Sequence, residues 1–122
     1  MDDHFIDIAL AKSAAKIAME RHAGRLEQIY TPNGEVIIKR GKDLTDIKTV
    51  IGVGGIFAYG HNNKEVLEGM LFQQTDPLSL KPKKPSFYID KSYILYAIGL
   101  LAEIDPAKAF NVGINHLEKL IQ

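Results

Sequence analysis

The sequence predicts an α/β fold in which a mixed sheet of about four strands is flanked by helices. The first indication is a β-branched run at 49–54, followed by glycines, a helical pattern and a second short strand at 87–90. A unit of this kind forms a parallel, right-handed crossover. A turn motif also predicts an antiparallel hairpin at 25–41, and both ends of the chain show helical patterning. An α+β arrangement of the same elements stays open.

The composition is that of one globular domain covering residues 1–122. Fifteen Lys and Arg residues balance fifteen Asp and Glu residues, so net charge does not favour nucleic acid as a partner. The absence of cysteine excludes disulfides and thiolate metal sites and fits a cytoplasmic protein. The acidic start is unlike a secretory signal, and the longest apolar run, 93–102, is too short for a membrane helix.

The N-terminal half predicts a helix followed by the hairpin. Residues 3–22 contain many helix formers, no Gly or Pro, and a wide, Ala-rich apolar stripe that favours contacts on two sides. Ala23 and Gly24 end this helix. The hairpin turn is Thr-Pro-Asn-Gly at 31–34, because Pro presets the first turn dihedral and Asn-Gly accepts positive φ.

The next segment predicts a buried strand and a capped helix. A polar connector leads to the run at 49–54, whose continuous apolar character is typical of a strand buried on both faces. Asn62 and Glu65 then resemble a capping box. The helix after them has one apolar face, formed by Val66, Leu67, Met70 and Leu71.

The C-terminal part predicts a loop, a strand and two helices. The proline- and lysine-rich stretch at 73–86 is a loop, and the strand at 87–90 follows it. Residues 91–103 form a helix that is apolar almost all round, which favours burial. The last helix begins at Asp105, a typical N-cap before Pro, and runs to about 120.

The glycines around the 49–54 strand admit several interpretations. A dinucleotide fingerprint needs glycine where the chain has Phe57, and no Gly-Lys-Ser/Thr phosphate loop follows. A Gly-Gly turn at the carboxyl end of a buried strand is a place where ligands lie, since a missing Cβ lets a ring or ribose touch the backbone. Spacing alone favours the simpler interpretation, in which Gly54 and Gly55 only permit a sharp strand-to-helix turn.

At this point the chain resembles a known superfamily. The adenosine motif of the actin-like ATPases, shared by sugar kinases, actin and heat-shock chaperone ATPases, is similar to TVIGVGGIFAYGHNNKEVLEGML, with Gly54 and Gly55 at its two glycines. The GlmL/MutL family, associated with adenosylcobalamin-dependent glutamate mutase, is similar to AAKIAMERHAGRLEQIYTPNGEV, KDLTDIKTVIGVGGIFAYG and FQQTDPLSLKPKKPSFYIDKSYILYAIGLLA. This family is not the mismatch-repair protein of similar name. The likeness covers nearly the whole chain.

The resemblance implies the second, ribonuclease H-like lobe of an actin-like ATPase. It implies ATP as the cofactor, held weakly or not at all by the isolated chain, with ribose and base against Gly54, Gly55, Ile56 and Phe57. It also implies a chaperone or reactivating role toward the mutase subunits, and contact with a missing N-terminal lobe.

One departure from the superfamily pattern limits the expected chemistry. The 122 residues contain no Asp-x-Gly motif, so the carboxylate that positions Mg²⁺ and water is expected only in a full-length parent. We therefore expect the chain to be a C-terminal fragment that contains no catalytic residue. The fragment itself is not expected to be an enzyme. Whether the parent is an ATPase stays open.

The histidines and the loop lysines favour plain structural roles. The four histidines show no metal-ligand spacing, so no metal site is expected, and His61 is the one histidine beside the glycine turn. Lys81, Lys83 and Lys84 fit a solvated connector better than an anion site.

Three further side chains lie close to the predicted turn. Asp90 ends a strand that, if parallel to 49–54, brings it to the same sheet edge as Gly54, although a helix cap is the simpler role. Phe57 and Tyr59 flank the turn and fit packing better than base stacking.

Three functions stay open. The first is the nucleotide-binding lobe of an actin-like chaperone ATPase. The second is a non-enzymatic protein-interaction module, in which the Ala-rich helix binds a partner and the Gly-Gly turn is architectural. The third, a lobe of a small-molecule kinase, ranks last because no substrate pocket is defined.

Overall fold

The computed structural model describes residues 3–120, and the elements of this range belong to two compact units. In chain order the elements are α1 (Asp3–His22), β1 (Arg25–Thr31), β2 (Gly34–Arg40), β3 (Thr49–Gly52), α2 (Gly55–Tyr59), α3 (Asn63–Glu68), β4 (Ser86–Asp90), α4 (Leu95–Ala102), α5 (Pro106–His116) and β5 (Leu117–Lys119). One unit comprises the chain up to 48 with 65–85, and the other comprises 49–64 with the chain from 86. The α/β class is confirmed, and its strands are divided between a two-stranded and a three-stranded sheet.

The predicted hairpin is confirmed as the sheet of the first unit. Strands β1 and β2 pair antiparallel from Arg25 opposite Arg40 to Thr31 opposite Gly34. The Thr31 hydroxyl donates a hydrogen bond of 2.8 Å to the Gly34 carbonyl, and Gly34 has a φ of +117°. The positive φ explains why a glycine ends this turn.

The proline-rich loop is bonded to the base of the hairpin. The amide of Leu80 donates to the carbonyl of Gly24, and the carbonyl of Leu80 accepts from the amide of Leu44. The Arg25 guanidinium adds two bonds, of 2.7 and 2.8 Å, to the Asp76 carboxylate. The loop therefore supplies backbone partners that a third strand would otherwise provide.

Lys81 corrects the prediction of a solvated connector. Lys83 and Lys84 are exposed, but Lys81 is only 3% exposed and its ammonium lies 3.3 Å from Glu20. A buried ammonium is tolerated because a carboxylate accompanies it. Sequence spacing could not reveal this burial, because the loop folds back as ordered structure with Pro82 and Pro85 fully buried.

Helix α1 has the predicted bounds, but its apolar residues are covered only in part, since one side of it, with Ile8, Ala11, Ala15 and Met19, is half-buried. None of its described residues is buried, and Phe5 and Leu10 are 73% and 64% exposed. The expected contacts on two sides are therefore wrong for the described part of the chain.

The second unit contains the three-stranded sheet, which is mixed as predicted. Strand β3 pairs parallel with β4, and β4 pairs antiparallel with β5. Strand β5 was not predicted, because the last helix was expected to reach about 120 and instead ends at His116. Leu117 turns to an extended conformation and pairs with Asp90, so sheet bonding at a free edge overrides local helix propensity.

Helices α4 and α5 differ in how well their starts were predicted. Helix α5 begins as expected, because the Asp105 carboxylate accepts from the Lys108 amide at 3.1 Å. Helix α4 begins at Leu95 rather than 91, since Tyr93 has a positive φ of +55°. Its predicted burial is also wrong: α4 contains no buried residue, and Leu100 is 69% exposed.

The connection between β3 and β4 contains two short helices, α2 and α3. The apolar face predicted after the capping box is largely confirmed, since Val66, Leu67 and Met70 are each at most 7% exposed. Burying side chains of this size stabilises a fold by about 1.5–3 kcal/mol each.

Two glycine substitutions test the packing of each unit. A Cβ on Gly24 would overlap the Arg40 carbonyl and lie 2.8 Å from the Lys42 amide nitrogen, whereas a Cβ on Gly99 would meet nothing within 4 Å. We expect Gly24→Ala to destabilise the chain by about 1–3 kcal/mol and Gly99→Ala to stabilise it by about 0.5–1 kcal/mol. Urea unfolding followed by circular dichroism measures both, and equal effects would contradict this packing.

The Arg25–Asp76 pair predicts a pH dependence. Hydrogen bonding from Arg25 lowers the pKa of the Asp76 carboxyl. Its contribution to stability is therefore present above the unfolded pKa of about 3.9 and is lost as the pH falls through the lower folded value. A carboxyl titration by NMR should show this lowered midpoint, and Arg25→Gln should return it toward the unfolded value. An unchanged midpoint in the variant would exclude Arg25 as the cause.

Candidate functional site

The carboxyl ends of β3 and β4 lie at one edge of the sheet. Gly52 is opposite Ile89 in the parallel register, so the chain leaves both strands at the same level. A cavity of about 600 Å³ opens there, and it is lined by Val53, Gly54, Asp90, Tyr93, Leu95 and Tyr96. The prediction that Asp90 shares an edge with the glycine turn is confirmed.

Gly54 forms one side of this cavity with bare backbone. Its φ of +102° and ψ of 171° lie in a region that is essentially restricted to glycine. A Cβ built on it would meet nothing within 4 Å, so the turn faces open space. Its carbonyl accepts from the amides of Phe57 and Ala58, at 3.1 and 2.9 Å, which fixes the first turn of α2.

The other three predicted binding residues do not line the cavity. A Cβ on Gly55 would lie 3.8 and 3.9 Å from the rings of Tyr59 and Tyr93, so Gly55 lies beside these rings. Ile56 is 44% exposed. Phe57 packs against Gly52, where a Cβ would come within 3.0 Å of its ring, so the packing interpretation of Phe57 is confirmed.

Asp90 is the helix cap that the sequence favoured. Its carboxylate oxygens accept from the amides of Ile94 and Leu95, at 3.1 and 2.9 Å, and its backbone carbonyl accepts from Tyr93. The residue is only 4% exposed although it lines the cavity. The carboxylate therefore starts α4, at a residue that also lines the cavity.

Tyr93 and Tyr96 are site residues that sequence reasoning missed. Tyr59 and Tyr93 are stacked, with ring centroids 6.2 Å apart and planes within 12°, and Tyr96 meets Tyr93 edge-on at 6.0 Å. The signal was present as two tyrosines three residues apart after Asp90. It was interpreted as part of a buried helix, whereas Tyr96 is 69% exposed.

The second unit has another apolar depression, of about 480 Å³, between α4, α5 and the sheet. Phe110 and Ile114 line it and are 67% and 54% exposed. Within residues 3–120, no three His, Cys, Asp or Glu side chains are grouped so that they could hold a metal ion. In the same range, no helix has the length and apolar character needed to cross a membrane.

Comparison with known proteins gives one consistent match. The model of the MutL protein family matches residues 1–117. Protein MutL from Clostridium tetanomorphum is 46% identical over 114 residues, which cover 93% of this chain and 25% of that protein. The chain thus spans about a quarter of the length of this curated relative. No solved structure matches.

Adjacent glycines provide a matched test of the turn. We expect Gly54→Ala to cost about 1–3 kcal/mol of stability, because an L-residue is strained at this φ and ψ. Gly55→Ala should change stability little, since its Cβ would make only ordinary van der Waals contacts. Chemical denaturation of both variants decides the matter, and an unstrained Gly54→Ala would contradict the observed turn.

Proposed function

The chain belongs to the MutL protein family, and from this membership we propose that it is the nucleotide-binding lobe of an ATP-dependent chaperone or reactivating factor for adenosylcobalamin-dependent glutamate mutase. In this proposal the chain is cytoplasmic, contacts the mutase subunits and a second lobe, and is not catalytic by itself. The actin-like character of the lobe is part of the same proposal, through the likeness of the segment at 49–71 to an adenosine motif.

The observation that supports nucleotide binding is the open turn at Gly54. In open α/β sheets, ligands bind outside the carboxyl ends of parallel strands, and here that edge carries a cavity of about 600 Å³. Small-molecule pockets are typically about 300–1,000 Å³. The absence of a Cβ at Gly54 leaves room for a ribose or base directly against the backbone.

The residues of the cavity suit the nucleoside part of ATP better than its phosphates. Five of the six lining residues present apolar, aromatic or bare backbone surface, and the sixth is Asp90. ATP, when bound, would supply a transferable phosphoryl group to the complete protein. Among the described residues no carboxylate group is assembled for Mg²⁺, so we derive no metal-dependent step for this chain.

A second candidate function is a non-enzymatic protein-interaction module. The exposed face of α1 favours it, because Ile6, Leu10 and Ile17 lie on one side of this helix and are between 40% and 64% exposed. Exposed apolar side chains that share a face are typical of surfaces that bind another protein. In this candidate the turn at Gly54 would be architectural only.

Titration with ATP separates the two candidates. The lobe proposal predicts changes in amide chemical shifts at 53–58 and 90–96, without ATP turnover above background. Gly54→Ala should weaken the response, because it adds a methyl group to the turn that lines the cavity and strains its backbone. No shifts at millimolar ATP would favour the interaction module, and turnover above background would contradict the non-catalytic assignment.

A further inference from the structure

We propose that two copies of this chain associate through the exposed side of α1, with the two helices packed side by side and antiparallel. The inference goes beyond the proposed function, because it names a second copy of the chain as the partner of this surface and does not depend on nucleotide binding. It rests on the pattern of apolar and charged residues along α1.

The exposed side of α1 carries a row of apolar side chains. Ile6, Leu10 and Ile17 are 40%, 64% and 47% exposed, and the exposed Ser13 completes the row. The spacings along the row are four, three and four residues, which is the heptad pattern of helices that pack against each other. The half-buried residues of α1 lie on the opposite side of the helix, so this row is left free to contact another molecule.

The row is nearly symmetric about its centre. Ile6 and Ile17 lie at equal distances from the midpoint between residues 11 and 12, and so do Leu10 and Ser13. In a reversed second copy at this register, Ile6 is therefore opposite Ile17 at both ends of the contact. Leu10 is opposite Ser13, so a large side chain meets a small one, as in the interdigitating layers of packed helices.

The charges of α1 make the same antiparallel arrangement favourable. Asp3 and Asp7 lie in the first two turns, whereas Lys16 and Arg21 lie in the second half. Asp3 and Arg21 are eighteen residues apart, which is about five full turns, so they project from the same side of the helix. In the reversed copy Arg21 lies within one residue of the level of Asp3, so opposite charges meet at both ends. A parallel pair would instead place like charges together, and its helix dipoles would repel.

Two other features of the chain support this choice of partner. Glu20 is the acidic exception in the second half of α1, and it already lies 3.3 Å from Lys81 of the same chain. Helix α4 also exposes a large apolar residue, Leu100, but it contains no charged residue. Helix α4 therefore has no charge pattern that would orient a second copy, whereas α1 has one.

Sedimentation equilibrium of the 122-residue chain measures this association directly. A contact made by one helix of each copy is at the small end of the range of specific interfaces, where complexes are weak and transient. We therefore expect a reversible dimer with a Kd on the order of 100 µM. Leu10→Lys should weaken this Kd at least about tenfold, because Leu10 lies close to the centre of the contact and the charge enters it from both copies.

Leu100→Lys is the matched control for Leu10→Lys. Leu100 is 69% exposed, similar to the 64% of Leu10, and it lies on α4. The same substitution there should leave the Kd unchanged within about twofold. Because Lys and Leu have similar helix propensity and both positions are exposed, neither variant should lower the unfolding midpoint appreciably.

Charge reversal tests the antiparallel orientation. Asp3→Arg and Arg21→Glu should each weaken self-association about threefold to tenfold, because each replaces two opposite-charge pairs by two like-charge pairs. An equimolar mixture of the two variants should associate as tightly as the unaltered chain within about threefold, since each mixed pair again places opposite charges together. In a parallel pair, neither single variant would weaken the association.

The outcomes that overturn the inference are separate from those that concern nucleotide binding. A chain that stays monomeric up to about 1 mM overturns it and leaves the exposed side of α1 to the mutase subunits or to a second lobe. Association that survives Leu10→Lys, or that Leu100→Lys weakens equally, also overturns it, because another surface would then join the copies. Charge variants that associate like the unaltered chain exclude the antiparallel pair and overturn the inference as stated. None of these measurements involves ATP, so the proposed function stands or fails in its own titration.

Discussion

The site depends on the parallel pairing of β3 with β4. Because the register sets Gly52 opposite Ile89, both strands end at one edge, and two segments far apart in sequence come together there. Gly54 follows the first strand and Asp90 ends the second. A register shift of one residue would turn every side chain of a strand to the other face. The buried Phe87 and Ile89, each 1% exposed, oppose such a shift.

The turn after β4 is held by hydrogen bonds to Asp90. Asp90 supplies two carboxylate oxygens and one carbonyl to the amides of Tyr93, Ile94 and Leu95. These bonds satisfy amides that the start of α4 would otherwise leave unpaired. They also compensate for the strained backbone of Tyr93, since a conformation of this kind persists only where its surroundings fix it. The same contacts that begin the helix therefore position the ring at the cavity.

Sequence reasoning succeeded where the signal was local. The hairpin turn, the cap at Asp105 and a strand beginning at Thr49 depend on neighbouring residues, and each was predicted. The strand ends at Gly52 rather than 54, and its expected burial on both faces is wrong, since Ile51 is 42% exposed. It failed where distant partners decided the outcome: β5 forms because β4 offers a free edge, and Lys81 is buried in a loop that folds back and brings it beside Glu20. At the site, Gly54 was identified from its type. Tyr93 was missed because a positive φ in a bulky residue contradicts local preference.

Large apolar side chains of the second unit are exposed in this chain, which spans about a quarter of the length of its curated relative, and covering them would be favourable in free energy. Leu100, Ile104 and Phe110 are 67–84% exposed on or beside the two C-terminal helices. Covering one side chain of this kind contributes roughly 1.5–3 kcal/mol of free energy. The net free energy of unfolding of a whole domain is only about 5–15 kcal/mol. An apolar partner would thus gain substantially from binding here. The cavity beside Gly54 differs, because the Tyr93 ring is held by its contacts with Tyr59 and Tyr96, so that little conformational entropy would be lost there on binding a small molecule. The second unit therefore has two different kinds of surface, a broad exposed apolar one and a smaller cavity with ordered rings.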